Sequence, residues 1–205
     1  MNERYPFSAV VGQEQVKRAL IYNLIEPRIG GVVLCGEKGT AKSTIVRALA
    51  ELTEQKVIDL PLSVTEDMLV GSIDFERAVR EGVRTFSGGL LERADGNILY
   101  VDEVNLLPDG VVNTLICAAA SGRNLVEREG ISFRHDSRFV LVGSMNPEEG
   151  RLRPQFLDRF GLYVSVAGEP DVERRAEIIR RRMAYERDPA AFRAQWEGES
   201  AALSK

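Results

Sequence analysis

Gly36-Glu37-Lys38-Gly39-Thr40-Ala41-Lys42-Ser43-Thr44 follows directly on the apolar run Val32-Val33-Leu34-Cys35 and leads into a helical pattern carrying Ile45, Val46, Leu49 and Leu52 on one face. The spacing is that of a phosphate-binding loop, G-x-x-x-x-G-K-[ST], with Ala41 where the second glycine is usual. Backbone N–H groups must converge on phosphate oxygens, so side chains at the turn have to be small. The helix that follows points the positive end of its dipole at the anion. In this reading Gly36, Glu37, Lys38, Gly39, Thr40 and Ala41 wrap the phosphates, and Thr44 completes the binding stretch. Lys42 reaches the β and γ phosphates of ATP, and the Ser43 hydroxyl ligates magnesium. The methyl group of Ala41 is a small steric addition so long as its backbone stays helical. A glycine-rich turn without chemical meaning would need neither the Lys-Ser pair nor a strand and a helix on its two sides.

The other half of such a site lies about 60 residues on. Asn97-Ile98-Leu99-Tyr100-Val101-Asp102 is a continuous apolar run, as a strand buried on both faces should be, and it ends in Asp102-Glu103. A carboxylate at the carboxyl end of a strand beside the phosphate loop is where the second magnesium contact belongs. Asp102 is assigned that role, through water. Glu103, one residue further, is placed to orient and polarise an attacking water as general base. Two acids closing a strand are common; after an intact phosphate loop they become complementary parts of one site.

Short apolar runs at 32–35, 57–60, 98–102, 138–144 and 162–166 alternate with helical patterns at 13–25, 42–53, 109–121 and 171–187. That alternation predicts a three-layer α/β fold on a parallel five-stranded sheet. Residues 71–96, with five glycines, read as a helix broken by an insertion, and 123–135 as a β-hairpin. The charged pattern at 171–187 carries Val172, Ala176, Ile179 and Met183 on its apolar side, while Arg180-Arg181-Arg182 splays around a solvated face. Asp188-Pro189 then caps a further helix in which Phe192 and Trp196 share a face. The expected organisation is an α/β core over 1–168, then a linker helix and the start of a truncated helical lid over 169–205.

Of 205 residues, 44% are hydrophobic and 28% charged, which suits one soluble α/β domain. A net charge of −4 argues mildly against a nucleic-acid coat protein. No run approaches the roughly 18 apolar residues of a membrane span. Cys35 and Cys117 sit in apolar runs and read as buried thiols in a reducing, cytoplasmic compartment.

The chain resembles the AAA+ ATPases, and more narrowly the ATPase subunit of magnesium chelatase. The resemblance is carried by Tyr5-Pro6-Phe7-Ser8-Ala9-Val10-Val11-Gly12-Gln13-Glu14, the phosphate loop, Leu60-Pro61-Leu62-Ser63, Asp102-Glu103-Val104-Asn105, Asn146-Pro147-Glu148-Glu149-Gly150 and Leu157-Asp158-Arg159-Phe160. It implies that Asn146 is the polar sensor of the γ-phosphate or the water, against the alternative of a turn-capping asparagine. It implies that Arg159 is an arginine finger offered to a neighbouring subunit's ATP, against a surface ion pair with Asp158. Val11 and Gly12 become part of the adenine pocket. The family further implies the helix-2 insertion, the pre-sensor hairpin, a homo-oligomeric ring (usually a hexamer), and partner chelatase subunits that insert magnesium into a porphyrin. A lid carrying a second sensor arginine would be largely absent here.

His135 is the only histidine and no Cys/His cluster exists to hold a transition metal, so chelation would fall to another subunit, with this chain as engine. Two other readings stand beside it: a remodelling ATPase acting on a partner with an integrin-like metal-binding domain, and a helicase-like DNA motor. The hairpin stretch Glu127-Arg128-Glu129-Gly130-Ile131-Ser132-Phe133-Arg134 mixes its charges, which disfavours nucleic acid as a partner.

Overall fold

The computed structural model describes residues 4–74, 80, 85–128 and 131–204. Five strands, β1 (Val32–Cys35), β2 (Val57–Leu60), β5 (Ile98–Val101), β8 (Val140–Met145) and β9 (Leu162–Ser165), form one parallel sheet in the order β2-β5-β8-β1-β9. All four residues of β1, all four of β5 and all six of β8 are buried, as expected for strands covered on both faces. Successive side chains alternate between two cores: Ile98 and Tyr100 pack on the side of helices α1 (Glu14–Ile25) and α2 (Lys42–Leu49), Leu99 and Val101 on the other. Helices α3 (Glu66–Val70), α4 (Leu90–Ala94) and α5 (Asp109–Ser121) cover that second face.

The sequence places the acidic strand β5 directly beside β1; in the structure β8 lies between them, hydrogen-bonded to both. One sheet edge therefore presents the ends of β5, β8 and β1 side by side, at the carboxyl termini where α/β folds bind ligands.

The stretch read as a glycine-broken helix contains two antiparallel strands, β3 (Gly71–Asp74) and β4 (Thr85–Gly88), before α4. Most of the tip between them lies outside the described residues. The pre-sensor hairpin is present as β6 (Arg123–Arg128) and β7 (Ile131–Asp136). The two hairpins touch: Phe86 stacks on Phe133 at 4.1 Å, and the buried Asn124 donates from Nδ2 to the carbonyl of Val70 at 3.0 Å.

After the short helix α6 (Pro154–Leu157) and β9 come α7 (Val172–Arg187) and α8 (Pro189–Leu203). Asp171 caps α7 through the N–H groups of Glu173 and Arg174. The apolar side expected for α7 is uncovered, with Val172, Ile179 and Met183 all more than half exposed. The packed edge carries Tyr185 and Arg181 instead, because the aromatic surface of α8 faces that way. Phe192 is buried against Tyr5 and Tyr185, and the Arg181 guanidinium lies 4.5 Å over the Trp196 ring. Arg181 also donates to the Ala9 carbonyl at 3.0 Å, so the middle arginine of the run is a packing group and not a solvated one. Ser200 donates to Glu51 at 3.2 Å, tying α8 to the end of α2.

Cys35 is buried, but Cys117 is exposed. Helix α5 buries Val111, Val112, Leu115, Ile116, Ala118 and Ala119, and Cys117 and Asn113 share the opposite face.

Candidate active site

The phosphate loop leaves the sheet at Gly36, whose N–H donates to the Met145 carbonyl at 3.0 Å. A Cβ at Gly36 would lie 2.0 Å from the Val166 carbonyl oxygen, so close approach of the next strand's end demands glycine. Gly39 needs its freedom for a different reason: nothing would crowd a side chain, but φ is +80°. Ala41 adopts φ +62° and ψ +23°, left-handed and not helical as the sequence reading required. An L-residue there carries a cost on the order of 1–2 kcal/mol, which glycine escapes. Ala41 therefore stores strain at the point where the loop turns into α2.

Lys42 donates from Nζ to the carbonyls of Gly36 at 2.6 Å and Glu37 at 2.8 Å, and Thr40 Oγ1 donates to the Glu37 carbonyl at 2.8 Å. These bonds cross-brace the loop and hold the ammonium inside its curve.

Asp102 and Glu103 close the other side. Tyr100 donates to Asp102 Oδ1 at 3.0 Å, and the fully buried Ser144 donates to the same oxygen. Burial raises the Tyr100 phenol well above its ordinary range, so it remains a donor. Glu103 sits at φ +54°, a second strained non-glycine residue, with its N–H donating to Ser144 Oγ at 3.3 Å. Burial raises the Glu103 carboxyl above its usual 4.5; the neighbouring Glu149 carboxyl adds to this, and Lys38 opposes it. Lys38 ion-pairs with Glu149 and lies 3.8 Å from Glu103 Oε1.

Asn146 is 4% exposed at the end of β8. Its Oδ1 accepts from the Glu148 N–H at 3.2 Å, so it caps the turn Pro147–Glu149, and its Nδ2 has no hydrogen-bond partner among the described residues. The capping and sensor readings are thus compatible, one for each end of the amide. A cavity of about 460 Å³ brings these groups together, lined by Lys38 to Thr44, Asp102, Glu103, Ser144, Met145 and Asn146.

Two predicted site residues lie off this cavity. Val11 and Gly12 are not in its lining. They sit against the strap that follows β9, where Gln13 Nε2 donates to the Ala167 carbonyl at 2.8 Å. Arg159 lies at the opposite end of the sheet: a Cβ on Gly30, ahead of β1, would meet the Arg159 carbonyl at 3.0 Å. The length of β1, about 13 Å at 3.3 Å per residue, separates that position from the chain's own phosphate loop. The Arg159 guanidinium donates to Asn113 Oδ1 at 2.6 Å and does not pair with Asp158. Sequence reading gives no role to Ser144, Tyr100 or the Glu149 carboxylate; only their places at or just beyond the ends of β5 and β8 could have pointed to them.

A five-stranded parallel sheet in this order, with a phosphate loop, an acidic pair and a polar residue at three neighbouring strand ends, defines a P-loop ATPase core of the AAA class. The family model for the AAA domain (dynein-related subfamily) matches residues 31–160. The chain is 49% identical to the magnesium-chelatase 38 kDa subunit of Cereibacter sphaeroides, over 99% of this chain and 71% of that protein. It is 55% identical to an uncharacterized protein of Mycobacterium tuberculosis, covering 98% of this chain and 33% of the relative. Against a chain of the BchI–BchD complex of magnesium chelatase, known from a single-particle cryo-EM reconstruction, it superposes with a TM-score of 0.78 at 46% identity, over 98% of this chain and 73% of that one. The chain belongs to the AAA family and, within it, to the family of magnesium-chelatase ATPase subunits. It spans a third of the mycobacterial relative and 64% of a ChlI homolog of Methanocaldococcus jannaschii. No helix among the described residues is long and apolar enough to cross a membrane.

Proposed function

We propose that this chain binds ATP-magnesium and hydrolyses it as the motor core of a magnesium-chelatase-type complex, driving partner subunits that insert the metal into a porphyrin. The observation that carries the reading is the single cavity shared by the phosphate loop, Asp102, Glu103 and Asn146. Lys42 and the loop amides hold the phosphates. Ser43 and Asp102 offer oxygen donors on facing walls of the cavity, the hard ligand set that magnesium prefers alongside phosphate oxygens and water. Bound magnesium would neutralise charge developing between the β and γ phosphates. Glu103 orients the attacking water and takes its proton, and the free Nδ2 of Asn146 contacts the γ-phosphate or that water. Val11 and Gly12 contribute to the adenine side.

Arg159 completes a neighbouring subunit's site, because it lies at the far end of β1 from its own. The assembly is therefore a ring, a hexamer in this reading, acting in the cytoplasm. Residues 1–168 form the nucleotide-binding core and 169–205 belong to a linker and helical lid.

Calorimetry and turnover test the core of the reading: the parent takes up ATP-magnesium, and Lys42→Ala loses tight uptake. Absence of uptake by the parent would overturn it. A pull-down with full-length protein and ATP tests the chelatase assignment, for which recovery of a large porphyrin-binding subunit is expected.

A second reading has its own support. The 55% identical relative is about three times as long as this chain, so the same core occurs within a larger polypeptide. A remodelling ATPase whose target is an integrin-like metal-binding domain would give ATP uptake without a porphyrin-binding partner.

A further inference from the structure

The turn that Asn146 caps ends in Glu149, whose own N–H donates to the Asn146 carbonyl at 3.1 Å. That geometry swings the Glu149 carboxylate across the mouth of the cavity to the tip of the phosphate loop. There Oε1 pairs with Lys38. The other oxygen, Oε2, is buried with no hydrogen-bond partner. Its neighbour is the Glu103 carboxyl, a partner only when one of the two holds a proton. An unsatisfied buried oxygen is costly and marks a place where something other than stability is being held.

The arrangement is asymmetric in a useful way. Lys38 is a cation within 4 Å of the carboxylate assigned as base, and an ammonium seated on that carboxylate would tie up the lone pair that must accept a proton from water. Lys38 instead makes its close contact with Glu149 and keeps 3.8 Å from Glu103. Both carboxylate side chains are about a quarter exposed, at 26% for Glu103 and 27% for Glu149, so the choice between them is less screened than on an open surface. Resting on the assignment of Glu103 as base, we propose that Glu149 is a positioning residue that sequesters Lys38, leaving the Glu103 carboxylate to act on the attacking water. The device links three strand ends: the sensor Asn146 fixes the turn, the turn fixes Glu149, and Glu149 fixes the loop-tip cation.

The test uses full-length protein and steady-state ATP hydrolysis. Glu149→Gln frees Lys38 to fall onto Glu103, and kcat is expected to drop about tenfold with KM for ATP little changed. Adding Lys38→Met to Glu149→Gln removes the intruding cation and should recover most of that loss. A merely structural ion pair gives the opposite pattern, in which the double variant is no better than the single one. Unchanged kcat in Glu149→Gln, or a loss that Lys38→Met fails to recover, overturns the proposal. Binding of a fluorescent ATP analogue by each variant verifies the folded site. Glu103→Gln run alongside separates the two layers: parental turnover in that variant removes the base assignment itself.

Discussion

Ser144 hands its hydroxyl hydrogen to Asp102 Oδ1 from the strand that separates the acidic pair from the phosphate loop. With Tyr100 donating to the same oxygen, that half of the carboxylate is spoken for, and Oδ2 has no partner among the described residues. Two donors on one oxygen fix the plane of the group and keep it ionised. Groups that orient a metal-binding carboxylate typically contribute about 10- to 100-fold in metal affinity. Ser144→Ala should therefore raise the magnesium concentration needed for half-maximal ATP hydrolysis by about tenfold, at saturating nucleotide. A magnesium titration whose midpoint does not move would detach Ser144 from the metal.

Glu103→Gln keeps the shape of the side chain and removes its ability to take a proton. Nucleotide affinity should survive, and hydrolysis should slow by about 100-fold or more, the scale of a lost general base. Single-turnover kinetics on protein preloaded with ATP measures the chemical step directly. Hydrolysis at the parental rate would mean that another group activates the water.

Arg159 and the chain's own phosphate loop stand at opposite ends of β1, so any contact between this guanidinium and a γ-phosphate joins two subunits. Arg159→Ala should leave ATP affinity nearly intact and reduce kcat by about a thousandfold, the lower end for arginine fingers supplied in trans. Mixing it with subunits that bear Lys42→Ala should restore activity at the interfaces where an intact Arg159 meets an intact phosphate loop. Mixed assemblies as inactive as either parent would count against the trans role.

The sheet, the loop and the acidic pair were legible because each obeys a short-range rule. β1, β5 and β8 read as unbroken apolar runs since both of their faces are covered, and the phosphate loop has a fixed spacing. The strand order was not legible, because nothing local to Asp102 records that β8 lies between it and Gly36. The backbone of Ala41 escapes sequence reading for a related reason: position in a motif suggests a helical residue, while the turn into α2 requires positive φ. Asn146 shows the limit from the other side. The choice between cap and sensor looks exclusive in sequence, and the structure gives Oδ1 one task and leaves Nδ2 for the other. The stripe Val172, Ile179, Met183 is real as a pattern, yet α7 packs by Arg181 and Tyr185, whose polar tips hide their apolar bodies from a periodicity count.

That same helix gives the molecule an acid-sensitive contact with its own reporter. The Asp171 carboxyl is held below its usual 3.8, chiefly by the Arg174 N–H and then the Glu173 N–H. The Glu177 carboxyl is held below its usual 4.5, first by the hydrogen bond from Arg181. Each group binds its proton less tightly in the folded chain than in the unfolded one. Stability from these contacts is therefore fully present above about pH 5 and is lost as pH falls through the folded values. Protonating Glu177 releases Arg181, whose guanidinium covers Trp196, the only tryptophan in the chain. Trp196 emission should change on acidification before the far-ultraviolet helix signal does. In Glu177→Gln the emission should already be shifted at neutral pH and should titrate less, since the neutral amide cannot gain or lose the charge that holds Arg181. Identical acid titrations of parent and variant would show that the ring's cover is held by the Ala9 carbonyl, Arg181's other acceptor, and not by the charge on Glu177.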